Sequence, residues 1–170
     1  KTLMLARLLT LFYAILSYAI FFVSTLYAIG FVGNVAVPKS IDSGAPANPG
    51  EAVGINLLLL GLFAVQHSIM ARPAFKRWWA GFLPAAAQRS TYVLLSSLIL
   101  LLLFWQWRPL PTPVWRVEGI AAWLLIGLYW LGWSITFAST HMIDHFELFG
   151  LREALDAALN HRPDLIVLDV

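Results

Sequence analysis

The stretch GIAAWLLIGLYWLGWSITFASTHMIDH, residues 119–145, carries no Asp, Glu, Lys or Arg before Asp144. A helix needs about 20 mainly apolar residues to cross the hydrocarbon core of a bilayer, and this stretch is long enough. Three more windows lack charged residues over comparable lengths: 8–38, 52–71 and 90–107. The sequence therefore predicts an all-α integral membrane protein with four transmembrane helices. We place these helices at about 8–33, 52–71, 90–107 and 119–141.

The composition of the 170-residue chain points to the same class. Its residues are 60% hydrophobic and 12% charged, whereas soluble domains contain about 25% charged residues. The first window is longer than the apolar region of a cleaved signal peptide, about 7–15 residues, and Gly30 and Gly33 indicate that its helix ends or bends before Val37. The chain has no cysteine, which excludes disulfides, thiolate metal ligands and cysteine nucleophiles.

The distribution of basic residues predicts the orientation in the membrane. Basic residues are denser before the first span and between the second and third spans than in the other two connections, and cytoplasmic segments typically carry such an excess. The residues concerned are Lys1, Arg7, Arg72, Lys76, Arg77 and Arg89. Both the N-terminus and the C-terminus are therefore predicted to be cytoplasmic.

Polar residues gather at the span ends that share this predicted cytoplasmic face. They are Gln66 and His67 near the end of the second span, Arg72 just beyond it, Arg89 at the start of the third, and His141, Asp144 and His145 at the end of the fourth. Ionisable groups at membrane depth are costly and usually functional. Arg72 and Arg89 each adjoin a span, where a guanidinium can hold a carboxylate or phosphate through paired hydrogen bonds.

The segment His-Met-Ile-Asp-His at 141–145 admits three interpretations. The spacing i, i+3, i+4 places His141, Asp144 and His145 on one helical face, where an aspartate can fix the tautomer of a histidine and raise its basicity. The segment can be a polar turn at the membrane interface, a metal site with His67 as a third ligand, or a metal-free site that handles a substrate or cofactor. These alternatives stay open at this point.

Several separate blocks resemble a known family. They are QHSIMARPAFKRWW (66–79), RSTYVLLSSL (89–98), FWQWRP (104–109) and HFELFGLR (145–152). The chain is similar over these blocks, and from about Phe21 to Arg152, to the methanethiol S-methyltransferases, which belong to the NnrU and isoprenylcysteine-methyltransferase-like membrane proteins. The resemblance implies transfer of a methyl group from S-adenosylmethionine to a small thiol, methanethiol, to give dimethyl sulfide. It also implies a bacterial inner membrane with the site facing the cytoplasm.

Under this resemblance the polar residues receive roles. His67 or His141 is the candidate general base that forms the thiolate, with Asp144 as its orienting partner. The residues assigned to substrate or cofactor binding are Gln66, Arg72, Arg89 and His145. No metal is expected. The expected partners are the lipid bilayer and the small thiol, without nucleic acid, and the oligomeric state is left open.

Residues 153–170 depart from the family. The family continues with further membrane helices that supply the main S-adenosylmethionine-binding elements, whereas this chain continues with a short amphipathic run and an apolar, strand-like ending. The ending resembles a piece of a response-regulator receiver domain, with Asp169 at the phosphoacceptor position, and we interpret Asp169 as an ordinary charged residue. We therefore predict a membrane domain at 1–152, a fusion or truncation junction, and an unrelated tail.

Two alternatives to methyl transfer remain at this level. The chain can be a non-catalytic membrane fragment that packs with partners. As a weaker alternative, it can be a metal-dependent membrane hydrolase that uses His67, His141 and His145 as ligands.

Overall fold

The computed structural model describes residues 2–45, 47–110, 112–113, 115–142 and 145–159. The described part is helical throughout its regular structure and holds α1 (Thr2–Gly33), α2 (Pro49–Ala71), α3 (Pro73–Trp79), α4 (Ala85–Gln106), α5 (Gly119–Met142), α6 (His145–Leu148) and α7 (Leu151–Leu159). Asp144, the side chain of His145 and the segment with Asp169 lie outside the described residues. The predictions made for them stay predictions.

The four long helices confirm the predicted membrane spans. The helices α1, α2, α4 and α5 have 32, 23, 22 and 24 residues, and a helix of 20 residues already crosses the roughly 30 Å hydrocarbon core. All four are apolar enough to span a membrane, so the protein is an integral membrane protein. Three helices begin several residues earlier than predicted, α1 at Thr2, α2 at Pro49 and α4 at Ala85, and two of the helix ends differ by one residue. The predicted windows were cut at charged side chains, and a charged residue at an interface does not interrupt a helical backbone.

Local sequence explains where the second span begins and ends. The side-chain oxygen of Asn48 accepts a hydrogen bond from the Gly50 amide at 3.0 Å, and Pro49 occupies the first turn of α2, where a missing N–H is tolerated. At the other end, Pro73 disfavours a helical conformation at Arg72, whose backbone is extended (φ −72°, ψ 140°). The chain turns there and continues as the short helix α3.

Small side chains bring α1 and α4 together at the centre of the bundle. Ala14, Ser17 and Ser24 of α1 are buried, and so are Ser90 and Ser97 of α4. Such residues allow helix backbones to approach closely inside a membrane, where association depends on packing rather than on expulsion of water. α2 packs against the same helix α4. α4 is therefore the central helix of the described bundle.

At one end of the bundle, the connection at 34–48 folds back over the ends of α1 and α4. The Ile41 amide donates to the Phe31 carbonyl at 2.9 Å, and the Trp107 indole N–H donates to the Ile41 carbonyl at 3.0 Å. The Asn56 side chain donates to the Arg108 carbonyl at 2.7 Å and accepts from the Arg108 amide at 2.9 Å. We call this network the loop clasp and its end of the bundle the loop end.

The opposite end, which we call the site end, carries the short helices α3, α6 and α7. α7 packs on α1 and α4, and Ala154 at its centre is fully buried. Gly150 before α7 has a positive φ of 77°, and an added Cβ would lie 2.9 Å from the Ser90 hydroxyl and 3.0 Å from the Ser90 amide nitrogen. The amphipathic run after Arg152 is thus a docked helix as far as Leu159, and the predicted junction falls within this helix.

Candidate functional site

The predicted polar residues that the structure describes lie toward the site end of three spans. α2 and α5 run toward this end and α4 starts from it, so the alternation of the spans brings Gln66, His67, Arg89 and His141 to the same half of the bundle. The contacts they make divide them into groups. Gln66 and His67 face α4, Arg89 faces α6 and α7, and His141 ends α5.

His67 and Gln66 join α2 to α4 through polar side chains. The Tyr92 hydroxyl lies 2.9 Å from the His67 ring nitrogens, and the Phe63 ring stacks on His67 with centroids 5.4 Å apart. Beside this contact, the Gln66 amide donates at 3.2 Å to the hydroxyl of Ser96, which lies one helical turn along α4 from Tyr92. Tyr92 and Phe63 together thus fix the position of the His67 ring between α2 and α4.

The His141 ring is held by its own helix. Its Nδ1 lies 2.8 Å from the Phe137 carbonyl oxygen one turn earlier in α5. A carbonyl can only accept, so Nδ1 is the donor in this contact. The ring is exposed. Asp144, the partner that the sequence suggests for it, lies outside the described residues.

Arg89 is engaged by the chain's own α6 and α7. Its guanidinium donates to the Glu147 carbonyl oxygen and lies 3.5 Å from the Glu153 carboxylate. Both side chains of this ion pair are about 40% exposed (40% and 39%), so the pair contributes little stability by itself. Burial raises the pKa of Glu153 above its ordinary value and Glu147 adds to this, while Arg89 and Lys76 oppose it. Arg89 therefore connects α4 to both α6 and α7.

Arg72 occupies the corner between α2 and α3. Its side chain is exposed, and the extended backbone at this residue turns the chain from a membrane span into a short helix with two more basic residues, Lys76 and Arg77. Trp78 and Phe82 lie beside them and are exposed, and the centroids of their two rings are 5.1 Å apart. Basic and aromatic side chains together are typical of a membrane–water interface.

An apolar cavity of about 50 Å³ lies between α1 and α5. Its lining includes Phe21 and Thr25 of α1, Trp133 and Phe137 of α5, and Phe149 after α6. The rings of Phe21 and Phe149 stack with centroids 4.0 Å apart. Because Phe137 also holds His141 through its carbonyl, the cavity and the histidine share the last turns of α5.

The metal hypothesis finds no further support in the described residues. Within 2–45, 47–110, 112–113, 115–142 and 145–159, no three His, Asp or Glu side chains are grouped so that they could hold a metal ion. The His145 side chain, which that hypothesis needs, lies outside the described residues.

Sequence reasoning missed Tyr92, Ser96 and Glu153 as members of the site end. Tyr92 and Ser96 are spaced i, i+4 on α4, one helical turn apart, which places them on one face, and this spacing was the available signal. Glu153 gave no signal, because its contact with Arg89 joins residues 64 positions apart in the chain and depends on the docking of α7.

The fold and these polar groups define a class, an integral membrane protein whose helices present titratable side chains at one end of a bundle. The chain is 76% identical over 154 residues to "Methanethiol S-methyltransferase 2" of Bradyrhizobium diazoefficiens, a match that covers 91% of this chain and 60% of that relative. It is 54% identical over 151 residues to "Methanethiol S-methyltransferase" of Mycobacterium tuberculosis, covering 86% and 61%. These matches run over most of the chain and confirm its resemblance to the methanethiol S-methyltransferases.

More distant matches reach outside that family. The chain is 36% identical over 105 residues to "Nurim" of Mus musculus, a match that covers 58% of this chain and 40% of the relative. No family model and no solved structure matches the chain. The chain spans about 60% of the length of the bacterial methyltransferases named above.

Proposed function

We propose that this chain belongs to a membrane-bound enzyme that transfers a methyl group from S-adenosylmethionine to a small thiol such as methanethiol, giving a thioether. The observation that carries this proposal is the 76% identity over 154 residues to a relative named for that activity. The polar residues at the site end support it, because a thiol must lose its proton to become an effective nucleophile. In our proposal the membrane is a bacterial inner membrane and the site end faces the cytoplasm, as the basic residues predict.

The described residues fit the thiol better than the cofactor. A drug-sized ligand occupies a pocket of about 300–1,000 Å³, and the cavity between α1 and α5 holds about 50 Å³. A wider depression of about 240 Å³ is an open surface at the loop end, lined by Trp115 and Ile126 among others. Neither matches the size and polarity of S-adenosylmethionine. We therefore assign no described residue to the binding of its nucleoside part.

His141 is the proposed general base of the reaction. Its Nε2 takes the proton of the thiol, and the resulting thiolate sulfur forms a bond to the methyl carbon. The bond between this carbon and the donor sulfur breaks at the same time, and its electron pair stays on the donor sulfur. The hydrogen bond from Nδ1 to Phe137 holds the tautomer that this role needs. His67, fixed by Tyr92 and Phe63, is proposed to orient a ligand rather than to remove the proton.

The direct test is the formation of dimethyl sulfide. Membranes that contain this chain, supplied with methanethiol and S-adenosylmethionine, are compared by headspace gas chromatography with empty membranes and with membranes that contain the Bradyrhizobium relative. Dimethyl sulfide above the empty-membrane level would support the proposal. If only the relative forms dimethyl sulfide, this chain is a non-catalytic membrane protein under these conditions.

The role of His141 has its own variant. The change His141→Ala should lower methyl transfer by about 10²-fold, the usual contribution of a general base. Ser139→Ala is the matched control, because Ser139 is an exposed polar residue on the same part of α5 whose hydroxyl donates to its own helix. Equal turnover in the two variants would show that His141 is not the general base.

A further inference from the structure

The size of the cavity between α1 and α5 restricts what it can hold. A volume of about 50 Å³ exceeds the roughly 10–15 Å³ that one water molecule requires and is smaller than a cavity of about 150 Å³ that takes benzene. A molecule of two or three heavy atoms fits between these limits. Nucleosides, sugars and acyl chains are too large.

The lining of the cavity selects apolar occupants. The surface is almost entirely apolar, and two of its threonines give their hydroxyl protons to their own helices. Thr25 donates to the Phe21 carbonyl and Thr136 to the Gly132 carbonyl, both at 2.9 Å. Such a cavity gives water too few hydrogen-bond partners. It excludes charged ligands because nothing in the lining would replace their hydration.

The aromatic rings of the lining favour sulfur over other small apolar groups. Phe21 of α1, Phe137 and Trp133 of α5, and Phe149 after α6 line the space, and a divalent sulfur atom makes favourable contacts with aromatic rings at about 5 Å. The Phe149 ring stacks on Phe21. The ring centroid of Tyr18 lies 6.0 Å from that of Phe149 and extends this aromatic group.

The cavity also lies next to the proposed base. Thr140 lines it, and the next residue of α5 is His141. No residue of α5 is buried by the rest of the described chain, so the cavity lies at an open face of this helix. A small uncharged molecule dissolved in the apolar phase of a membrane can reach such a face without crossing a charged surface.

We propose that this cavity binds the small, uncharged sulfur compound of the reaction, as the neutral thiol before transfer and as the thioether after it. This assignment rests on the proposed function and adds to it the place where the sulfur compound binds and the size of the molecule that fits there. The residues that determine the selectivity are those that set the cavity's volume, above all Thr25 and Phe137.

Binding can be measured without turnover. Dimethyl sulfide is the probe, because it is the size of the proposed product and cannot be deprotonated. Saturation-transfer NMR on the purified chain in detergent should show binding with a Kd on the order of 1 mM or weaker, since very small ligands gain little free energy. The variant Thr25→Leu, which fills the cavity, should weaken binding by about tenfold. Thr10→Leu is the matched control, because Thr10 lies on the same helix and also donates to its own backbone.

A second variant guards against misfolding of the first. Phe137→Ala enlarges the cavity and should let the larger diethyl sulfide bind at least as well as dimethyl sulfide. Equal binding of dimethyl sulfide to the Thr25→Leu and Thr10→Leu variants, or no gain for diethyl sulfide in Phe137→Ala, would overturn the proposal. Specific binding without methyl transfer would keep the cavity and reject the proposed function. Methyl transfer with an unchanged KM for the thiol in Thr25→Leu would support the proposed function and reject the cavity as the binding site of the thiol.

Discussion

At the loop end, hydrogen bonds that involve the backbone fasten α1, α2 and α4, whereas at the site end the short helices dock through side chains. The loop clasp uses the Ile41 amide and carbonyl and both backbone polar groups of Arg108. Among the described residues, the contacts of the site end include the approach of Gly150 to Ser90, the partly exposed ion pair of Arg89 with Glu153, the hydrogen bond from Arg89 to the Glu147 carbonyl and stacked aromatic rings. From this difference we expect the end with the candidate chemistry to be the less rigidly built one. Elements that must admit ligands are commonly drawn from the less stable parts of a protein.

The most severe test of this comparison is Gly150→Ala at the site end. The new Cβ would lie 3.0 Å from the Ser90 amide nitrogen, and the φ of residue 150 is positive. The cost of overpacking and the cost of a left-handed backbone at a residue with a side chain therefore add to each other. We expect a loss of about 3–4 kcal/mol in the docking of α7. Hydrogen–deuterium exchange should show lost protection at 151–159 with the loop clasp unaffected.

The control for this variant is Gly132→Ala on α5, where an added Cβ meets nothing within 4 Å. It should leave exchange at 151–159 unchanged. Equal exchange in both variants would mean that the contact between Gly150 and Ser90 does not hold α7.

At the loop end, Asn56→Leu should cost about 2–3 kcal/mol of global stability. The substitution removes both side-chain hydrogen bonds to Arg108 and leaves a carbonyl and an amide unpaired. Unfolding in SDS followed by circular dichroism measures the change. Leu57→Ala, at an exposed neighbouring position, gives the baseline for a lipid-facing substitution. A loss no larger than in Leu57→Ala would show that the loop clasp is not the stronger end.

The smallest expected effect is the pH dependence of α7 docking. The pKa of Glu153 is raised on folding, chiefly by burial, so the docked state binds the proton more tightly than the undocked state. Docking is therefore strongest below the ordinary carboxyl pKa and weakens as the pH rises through the raised value. Exchange at 151–159, corrected for its intrinsic pH dependence, should increase as the pH rises over this range.

Glu153→Gln should remove this pH dependence, because the glutamine side chain does not titrate. Asp156→Asn on the exposed side of the same helix should keep it. A pH dependence that persists in Glu153→Gln would assign it to another group.

The sequence offers candidate site residues only where polar side chains interrupt or border an apolar span. His67, Arg89 and His141 are candidates because they stand out against the surrounding sequence, and their roles stay predictions. Their partners were not found, since Tyr92 is an ordinary interfacial residue in sequence and Glu153 reaches Arg89 only through the turn at Gly150. The orientation and the junction at 152 remain predictions.

The sequence by itself determined that four helices cross the membrane, because the length and the apolar character of each span are local properties. It could not determine which helix is central. α4 and α5 have almost the same mean hydropathy in their most apolar stretches, 1.5 and 1.6, yet a third of that stretch (33%) is buried in α4 and none (0%) in α5. Lipid and protein interior are equally apolar, so hydropathy does not distinguish them. Only the tertiary structure decided this, through the shapes of small side chains such as Ser17 and Ser90.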